Sequence, residues 1–274
     1  MGDNLAGILK HYTLDAQVFF TGTLCRNQVF NDADGIGHLH LLKSGKLTVH
    51  SPAHKTLVIR EPSLLLYPRA MLHNFHVDEE QGVDLVCARI EFGARAGNPL
   101  TQALPDVLLI PLAKLATLAP TLDLLFAEAS AKNCGRQAAI DRLCEFLLIQ
   151  LLRYLMAENL IDTGLLAGLA DKRLAKAITA MHNAPQRAWS LEQLAKTAGM
   201  SRARFAVHFR KTVGTTPGDY LAQWRIGLAQ ALLKKGKPVG LVADAVGYGS
   251  TTALSRAFKS HIGQTPTEWH RSTS

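Results

Sequence analysis

Three sets of residues in this chain carry side chains able to do chemistry. His38, His40, His73 and His76 offer imidazole nitrogens, which suit borderline divalent metals; strand alternation would put His38 and His40 on one face, with His73 approaching from a neighbouring strand. These are read as pocket-lining histidines, with no metal and no other cofactor. Cys25, Cys87, Cys134 and Cys144 lie far apart, with neither a CxxC pair nor zinc-ligand spacing, which argues against structural zinc. Cys25 and Cys87 lie in or beside expected strands, Cys25 just ahead of the first, and are read as neighbours in the fold. Such a pair, reduced in a cytoplasm, could oxidise under stress and act as a switch; the competing role is that of small buried apolar side chains. No catalytic residue is assigned, and an enzyme is not expected.

The third set is basic. Residues 171–274 carry 16 Lys/Arg against 5 Asp/Glu, a net +11, whereas residues 1–170 carry 14 against 17, a net −3. A positive module joined to a nearly neutral one calls for a polyanionic partner, because Lys and Arg displace condensed counterions from nucleic acid. A chain of 274 residues with 47% apolar and 19% charged side chains is long and apolar enough for two cores. Its most apolar stretch, residues 146–156, is interrupted by Gln150 and Arg153 and falls short of the ~18 to 20 residues of a membrane span. Residues 1–10 lack the charged leader and apolar run of a secretory signal. The expectation is a soluble cytoplasmic protein with no membrane partner.

An internal repeat organises the basic half. Phe209-Arg-Lys-Thr-Val-Gly214-Thr-Thr-Pro217-Gly-Asp-Tyr220 returns as Phe258-Lys-Ser-His-Ile-Gly263-Gln-Thr-Pro266-Thr-Glu-Trp269, displaced by 49 positions. Upstream, Ser201 matches Ser250 and Phe205 matches Leu254, so each copy predicts a helix with a Ser cap, one apolar stripe and a Gly stop. A shorter helix precedes each: Ser190-Leu-Glu-Gln193 makes a capping box before Leu191, Leu194, Ala195 and Ala198, and Val239, Val242, Ala243 and Val246 run to Gly247. The pattern is helix, glycine turn, helix over 190–213 and again over 239–262, an arrangement whose second helix enters the DNA major groove. Between the copies, Thr216-Pro217 opens a longer helix to Lys235 that would hold the two units at a fixed separation.

At this point the chain resembles the DNA-binding domain of the AraC/XylS family, over residues 172–271. The family's signature falls on Gly247-Tyr-Gly-Ser250 through Leu254, Arg256, Phe258 and Lys259 to Gly263, Thr265-Pro266, Trp269 and Arg271. By resemblance, base contacts fall on Ala203, Ala206 and Val207, then on Thr251, Thr252, Ser255 and Arg256. Val207 stands where Arg is common in the family; it can touch a thymine methyl but cannot make a bidentate pair with guanine. The first reader is therefore expected to hold phosphates through Arg202, Arg204, Arg210 and Lys211, with Lys259 outward on the second and Arg256 the principal hydrogen-bonding reader. The resemblance implies promoter DNA as partner, activation through RNA polymerase, and a homodimer.

The N-terminal half, residues 1–165, predicts short strands at 38–42, 46–51, 56–60, 64–67, 72–77 and 83–90, which suggests a β-sandwich or barrel. His40-Leu-Leu-Lys-Ser-Gly-Lys-Leu, followed by Leu66-Tyr-Pro68 and His73, resembles the cupin-type sensor domain of AraC-family regulators, with a small-molecule or redox effector implied. Cupin enzymes hold metal through histidines and a carboxylate. Here the count back from Gly45 puts His38 at the glutamate position, with Asp32 and Asp34 where paired histidines would stand. Residues 104–125 read as a loop leading to a helix. Residues 137–159 predict an amphipathic helix whose stripe needs a partner, either its own sandwich or a second subunit; residues 161–170 read as a connection. The fold class is thus α+β: a cupin-like domain and helices, then an all-α domain, 171–274, with two helix-turn-helix units. The alternative is a cupin-type metalloenzyme fused to a DNA-binding module.

Overall fold

In the computed structural model, which describes residues 3–31, 36–93 and 99–273, the alternating runs of the N-terminal half pair as antiparallel strands. They are β1 (Asp15–Leu24), β2 (Gln28–Phe30), β3 (Gly37–Gly45), β4 (Leu47–Ser51), β5 (His54–Ile59), β6 (Ser63–Tyr67), β7 (His73–Val77), β8 (Val83–Glu91) and β9 (Leu108–Pro111). One sheet has the order β1-β8-β3-β6-β9 and the other β2-β7-β4-β5. The six expected strands are all present, but the first strand is β1, which ends just before Cys25, and β9 occupies part of the expected loop.

Pairing register fixes the two faces of the larger sheet. His38 stands opposite Tyr67 and Arg89, and His40 opposite Leu65 and Cys87, so these residues share one face. Leu42, Leu65, Tyr67, Leu85 and Cys87 pack there against Leu47, Val49 and Phe75 of the smaller sheet. The opposite face carries Leu39, Leu41, Leu64, Leu66, Val86, Ala88 and Ile90, all buried as well. Buried on both faces, these strands read as apolar runs rather than clean alternation.

Two helices belong with the sheets: α3 (Ala119–Ser130) and α4 (Arg136–Ala157). Asp141 accepts the Val18 N–H at 2.7 Å, Gln137 donates to the Val18 carbonyl at 2.7 Å, and Arg136 donates to the Thr21 hydroxyl at 2.6 Å, tying α4 to β1. The stripe of Ile140, Cys144, Leu147, Leu148 and Leu151 is buried within this chain, so it needs no second subunit to cover it.

The other elements are helical: α1 (Ala6–His11), α2 (Pro99–Ala103), α5 (Leu165–Ala170), α6 (Leu174–Asn183), α7 (Leu191–Thr197), α8 (Arg202–Val213), α9 (Pro217–Lys234), α10 (Val239–Val246), α11 (Thr251–Ile262) and α12 (Pro266–Thr273). Contacts divide the chain into one unit of Leu14–Glu91 with Leu104–Tyr154, and another of Met1–Thr13, Phe92–Ala103 and Leu155–Ser274. Instead of the single passage expected near residues 165–171, the chain changes unit four times. The expected connection contains α5, whose Leu165, Leu166 and Leu169 are buried.

Helix α9 organises the helical unit. Trp224 stacks on His182 of α6 at 3.6 Å between ring centroids and tilts against Tyr12 at 5.4 Å. The His182 Nε2 lies 2.5 Å from the Tyr220 hydroxyl. Tyr12 reaches this centre because Gly227 has no side chain: a Cβ there would stand 2.0 Å from the Tyr12 oxygen. Gly227→Ala should therefore lower stability by about 1 to 3 kcal/mol, the usual range for overpacking, although Ala favours a helix over Gly by about 1 kcal/mol. Thermal melting of Gly227→Ala, and of the same variant carrying Tyr12→Phe, checks this: removing the phenol oxygen should restore most of the loss.

Candidate nucleic-acid interface and histidine centre

Each helix-turn-helix unit is built by its caps. Ser190 accepts the Gln193 N–H while Gln193 accepts the Ser190 N–H, completing the expected box on α7. Ser250 accepts the Ala253 N–H at 3.1 Å, but Ser201, extended as a cap must be, makes no side-chain cap bond. Gly214 and Gly263 end α8 and α11 at φ 85° and 84°, a left-handed backbone that glycine adopts without a Cβ penalty. Gly247 has a second reason to be glycine. Its Cβ would stand 2.6 Å from the Gln186 Cα, so the turn of the second unit packs against the chain just before α7.

With Phe205, Phe209 and Val213 buried, α8 exposes Arg202, Ala203, Arg204, Val207, Arg210 and Lys211, and half-buries Ala206. With Leu254 and Phe258 buried, α11 exposes Thr251, Thr252, Arg256 and Lys259, and half-buries Ser255. The residues assigned to DNA are thus exposed, except Ala206 and Ser255, which are half-buried. Val207 is 71% exposed, far more than an apolar residue gains from if its only role is packing. An open groove of about 770 Å³ runs beside it, lined by Arg173, Met200, Arg204, His208 and Lys211 among others.

Asp171 anchors α8 to the start of α6. Its carboxylate accepts the N–H groups of Arg173 and Leu174 at 2.8 and 2.9 Å and meets the His208 Nε2 at 2.7 Å. Partial burial opposes ionisation, yet the bonds from Leu174, His208 and Arg173 hold the carboxyl below its ordinary value.

Among the sensor residues, the structure brings His38, His40 and His73 together. All three are buried, and one ligand nitrogen from each lies within 4.8 Å of the others. The His40 Nε2 and His73 Nε2 are 3.0 Å apart. The His73 Nδ1 is 2.7 Å from the Met71 carbonyl oxygen, and its ring stacks on Tyr67 at 4.0 Å and on Phe30 at 4.9 Å. Burial, reinforced by the neighbouring His73 and His38, pushes His40 well below the usual histidine range, so it is neutral. His76, alternating with Phe75, is exposed and belongs to a different pair with His50. The approach of His73 was expected from a neighbouring strand, but His73 lies on β7 of the smaller sheet and meets His38 and His40 of β3 across the packing between the two sheets. Asp32 and Asp34 lie outside the described residues.

The cysteines do not form the expected neighbouring pair. Both line a cavity of about 490 Å³ with Phe19, Phe20 and Phe30. Leu24 pairs with Val83, and the Cys25 Sγ lies 3.0 Å from where a Cβ on Gly82 would stand. Cys87 is five residues further along β8, roughly 16 Å at about 3.3 Å per residue, whereas a disulfide needs Cα atoms within about 7 Å. Burial also raises the Cys87 thiol pKa, which disfavours the reactive thiolate.

Residues 3–157 match a family described as Cupin, and residues 194–272 one described as Helix-turn-helix domain. An uncharacterized HTH-type transcriptional regulator of Haemophilus influenzae is 30% identical over 88% of this chain and 88% of its own length. A putative AraC-like transcription regulator of Streptomyces lividans is 35% identical over 70% of this chain and 65% of its own. The RCS-specific HTH-type transcriptional activator RclR of Escherichia coli is 29% identical over 90% of this chain and 92% of its own.

The Asp171 anchor gives a test that is separate from DNA. Asp171→Ala should cost about 1 kcal/mol at neutral pH, the usual value of a lost cap. A depressed carboxyl contributes stability above its unfolded value and loses it as pH falls through the lower folded value. The difference between variant and parent should therefore shrink below pH ~4. Thermal melts from pH 7 to pH 3 measure it.

Proposed function

Because this chain belongs to the AraC-type transcription regulators with a cupin-type N-terminal domain, we propose that it reads a promoter through α8 and α11 and couples that reading to an effector in its N-terminal unit. The carrying observation is the outward face of the two helices: the +11 half of the sequence presents Arg202, Arg204, Arg210, Lys211, Arg256 and Lys259 on helices whose opposite faces are buried. Lys and Arg there hold phosphates, while Ala203, Ala206, Val207, Thr251, Thr252, Ser255 and Arg256 meet base edges. Activation, with RNA polymerase as partner, is favoured by the name of the Escherichia coli relative, a transcriptional activator. A homodimer accords with the family but would have to form on surfaces other than the buried α4 stripe.

The effector reading favours a small, largely apolar ligand in the cavity beside Phe19, Phe20 and Phe30. A redox signal is the second reading, since Cys25 and Cys87 line the same cavity and the Escherichia coli relative is named RCS-specific. A disulfide would first have to unravel the junction of β1 and β8, so the ligand reading needs less rearrangement.

DNA binding by the full chain tests the reader assignment. Arg256→Ala should lower preference for the specific site by about 1 to 3 kcal/mol, as loss of a bidentate base contact does. Lys211→Ala should weaken specific and random DNA alike and reduce the salt slope by about 0.9, the value per phosphate neutralised. Equal losses on both DNAs for Arg256→Ala would reassign it to the backbone.

A further inference from the structure

We propose that His38, His40 and His73 form a binding site for one divalent transition-metal ion, with three imidazole ligands and a fourth position open to a small donor. The proposal stands on the histidine cluster itself and is independent of the DNA-binding reading.

The proton arrangement in the cluster is unusually constrained. The Met71 carbonyl can only accept, so the His73 Nδ1 beside it carries a proton and the His73 Nε2 presents a bare lone pair. That lone pair faces the His40 Nε2 at 3.0 Å. Without a metal, the His40 Nε2–H donates to it, which leaves the buried His40 Nδ1 as a bare acceptor with no hydrogen-bond partner. Two nitrogens on one tetrahedral ion, each at about 2.0 to 2.1 Å, stand about 3.4 Å apart, so a few tenths of an ångström of opening makes room for an ion between them.

The surroundings already have the form of a ligand shell. A backbone carbonyl on the far nitrogen is the usual outer partner of a metal-bound histidine, and it fixes the tautomer that binds through Nε2. The stacked rings of Tyr67 and Phe30 hold the plane of His73. His38 and His40 share a strand face two residues apart, with rings 5.6 Å apart, and a Phe19 edge contact further confines His38.

Ligand chemistry selects the metal class. Three neutral imidazoles suit Zn(II), Co(II), Ni(II), Cu(II) or Fe(II), and are poor ligands for Mg(II) or Ca(II), which prefer oxygen. The set also differs from the histidines and carboxylate of cupin enzymes, because His38 stands at the glutamate position and His40 is an added ligand. Three neutral ligands leave the ion its whole double charge inside an apolar wall. The fourth position therefore favours an anion, such as hydroxide, chloride or a carboxylate on a bound molecule.

The test uses full-length protein stripped by chelator and titrated calorimetrically with Zn(II), with Co(II) followed by visible absorption. The expected result is one site per chain, with four-coordinate d–d bands for Co(II), weakened at least tenfold in His40→Gln and in His73→Gln and unchanged in His76→Gln. Failure of the wild type to bind either metal, or undiminished binding in His40→Gln, overturns the proposal. Because buried substitutions can impair folding, X-ray absorption of the Zn(II)-loaded wild type provides a check without variants. Three imidazole nitrogens at about 2.0 to 2.1 Å support the site, and a shell containing sulfur or a single imidazole overturns it.

Discussion

Burial of helix α9 is the constraint on which the reading half of this protein depends. Tyr220, Leu221, Trp224, Ile226, Gly227, Leu228, Ala229, Gln230 and Leu233 are all buried, so the helix is enclosed on most of its circumference. At about 1.5 Å per residue its 18 residues span roughly 27 Å. Helix α8 leads into it through Gly214, and α10, α11 and α12 pack against it. Helices α8 and α11 both contact this helix, whose Trp224 packs on His182 and Tyr12. The Gly227 notch that admits Tyr12 places a segment from the start of the chain in the same core.

The N-terminal unit meets a different requirement. Two sheets enclose a largely apolar core in which three histidines meet, and the larger sheet is buried on both faces. Polar groups in such a place must be satisfied by one another or by something bound. The Met71 carbonyl and the ring of His40 serve His73, while the Nδ1 of His40 has no partner. Immediately beside them, Phe30 belongs both to the histidine stack and to the wall of the cavity. Phe30 is thus the ring shared by the cavity wall and the histidine cluster.

Local rules made the helical half legible in the sequence. A Gly that ends a helix at positive φ, a capping box at Ser190 and Gln193, and Pro217 in the first turn each leave a mark at a fixed position, and the 49-residue repeat doubled them. Elements whose stability comes from tertiary packing left no such mark. Strand β1 breaks its register between Val18 and Phe20, which blurs its alternation. Helix α1 has six residues, too few for a visible stripe, and is held instead by the other helices of its unit. The buried helix α5 reads as a small-residue linker because Gly168 and its alanines fit close packing, with a Cβ on Gly168 meeting Ile178 at 2.7 Å. The histidines were visible one by one, but their convergence is a contact between sheets. The same limitation affected Cys25 and Cys87: proximity to strands did not reveal that they lie at different levels of the β1/β8 ladder.

In the proposed function, one chain carries two readers held at a spacing set by α9. Hydroxyl-radical footprinting of the full chain on its promoter measures this most directly. Two protected patches are expected on one face of the duplex, centred about one helical turn, ~10 to 10.5 base pairs, apart. Substitutions on the exposed side of α11 should erase one patch and leave the other. A single continuous half-site, or two patches whose separation varies from site to site, would contradict it.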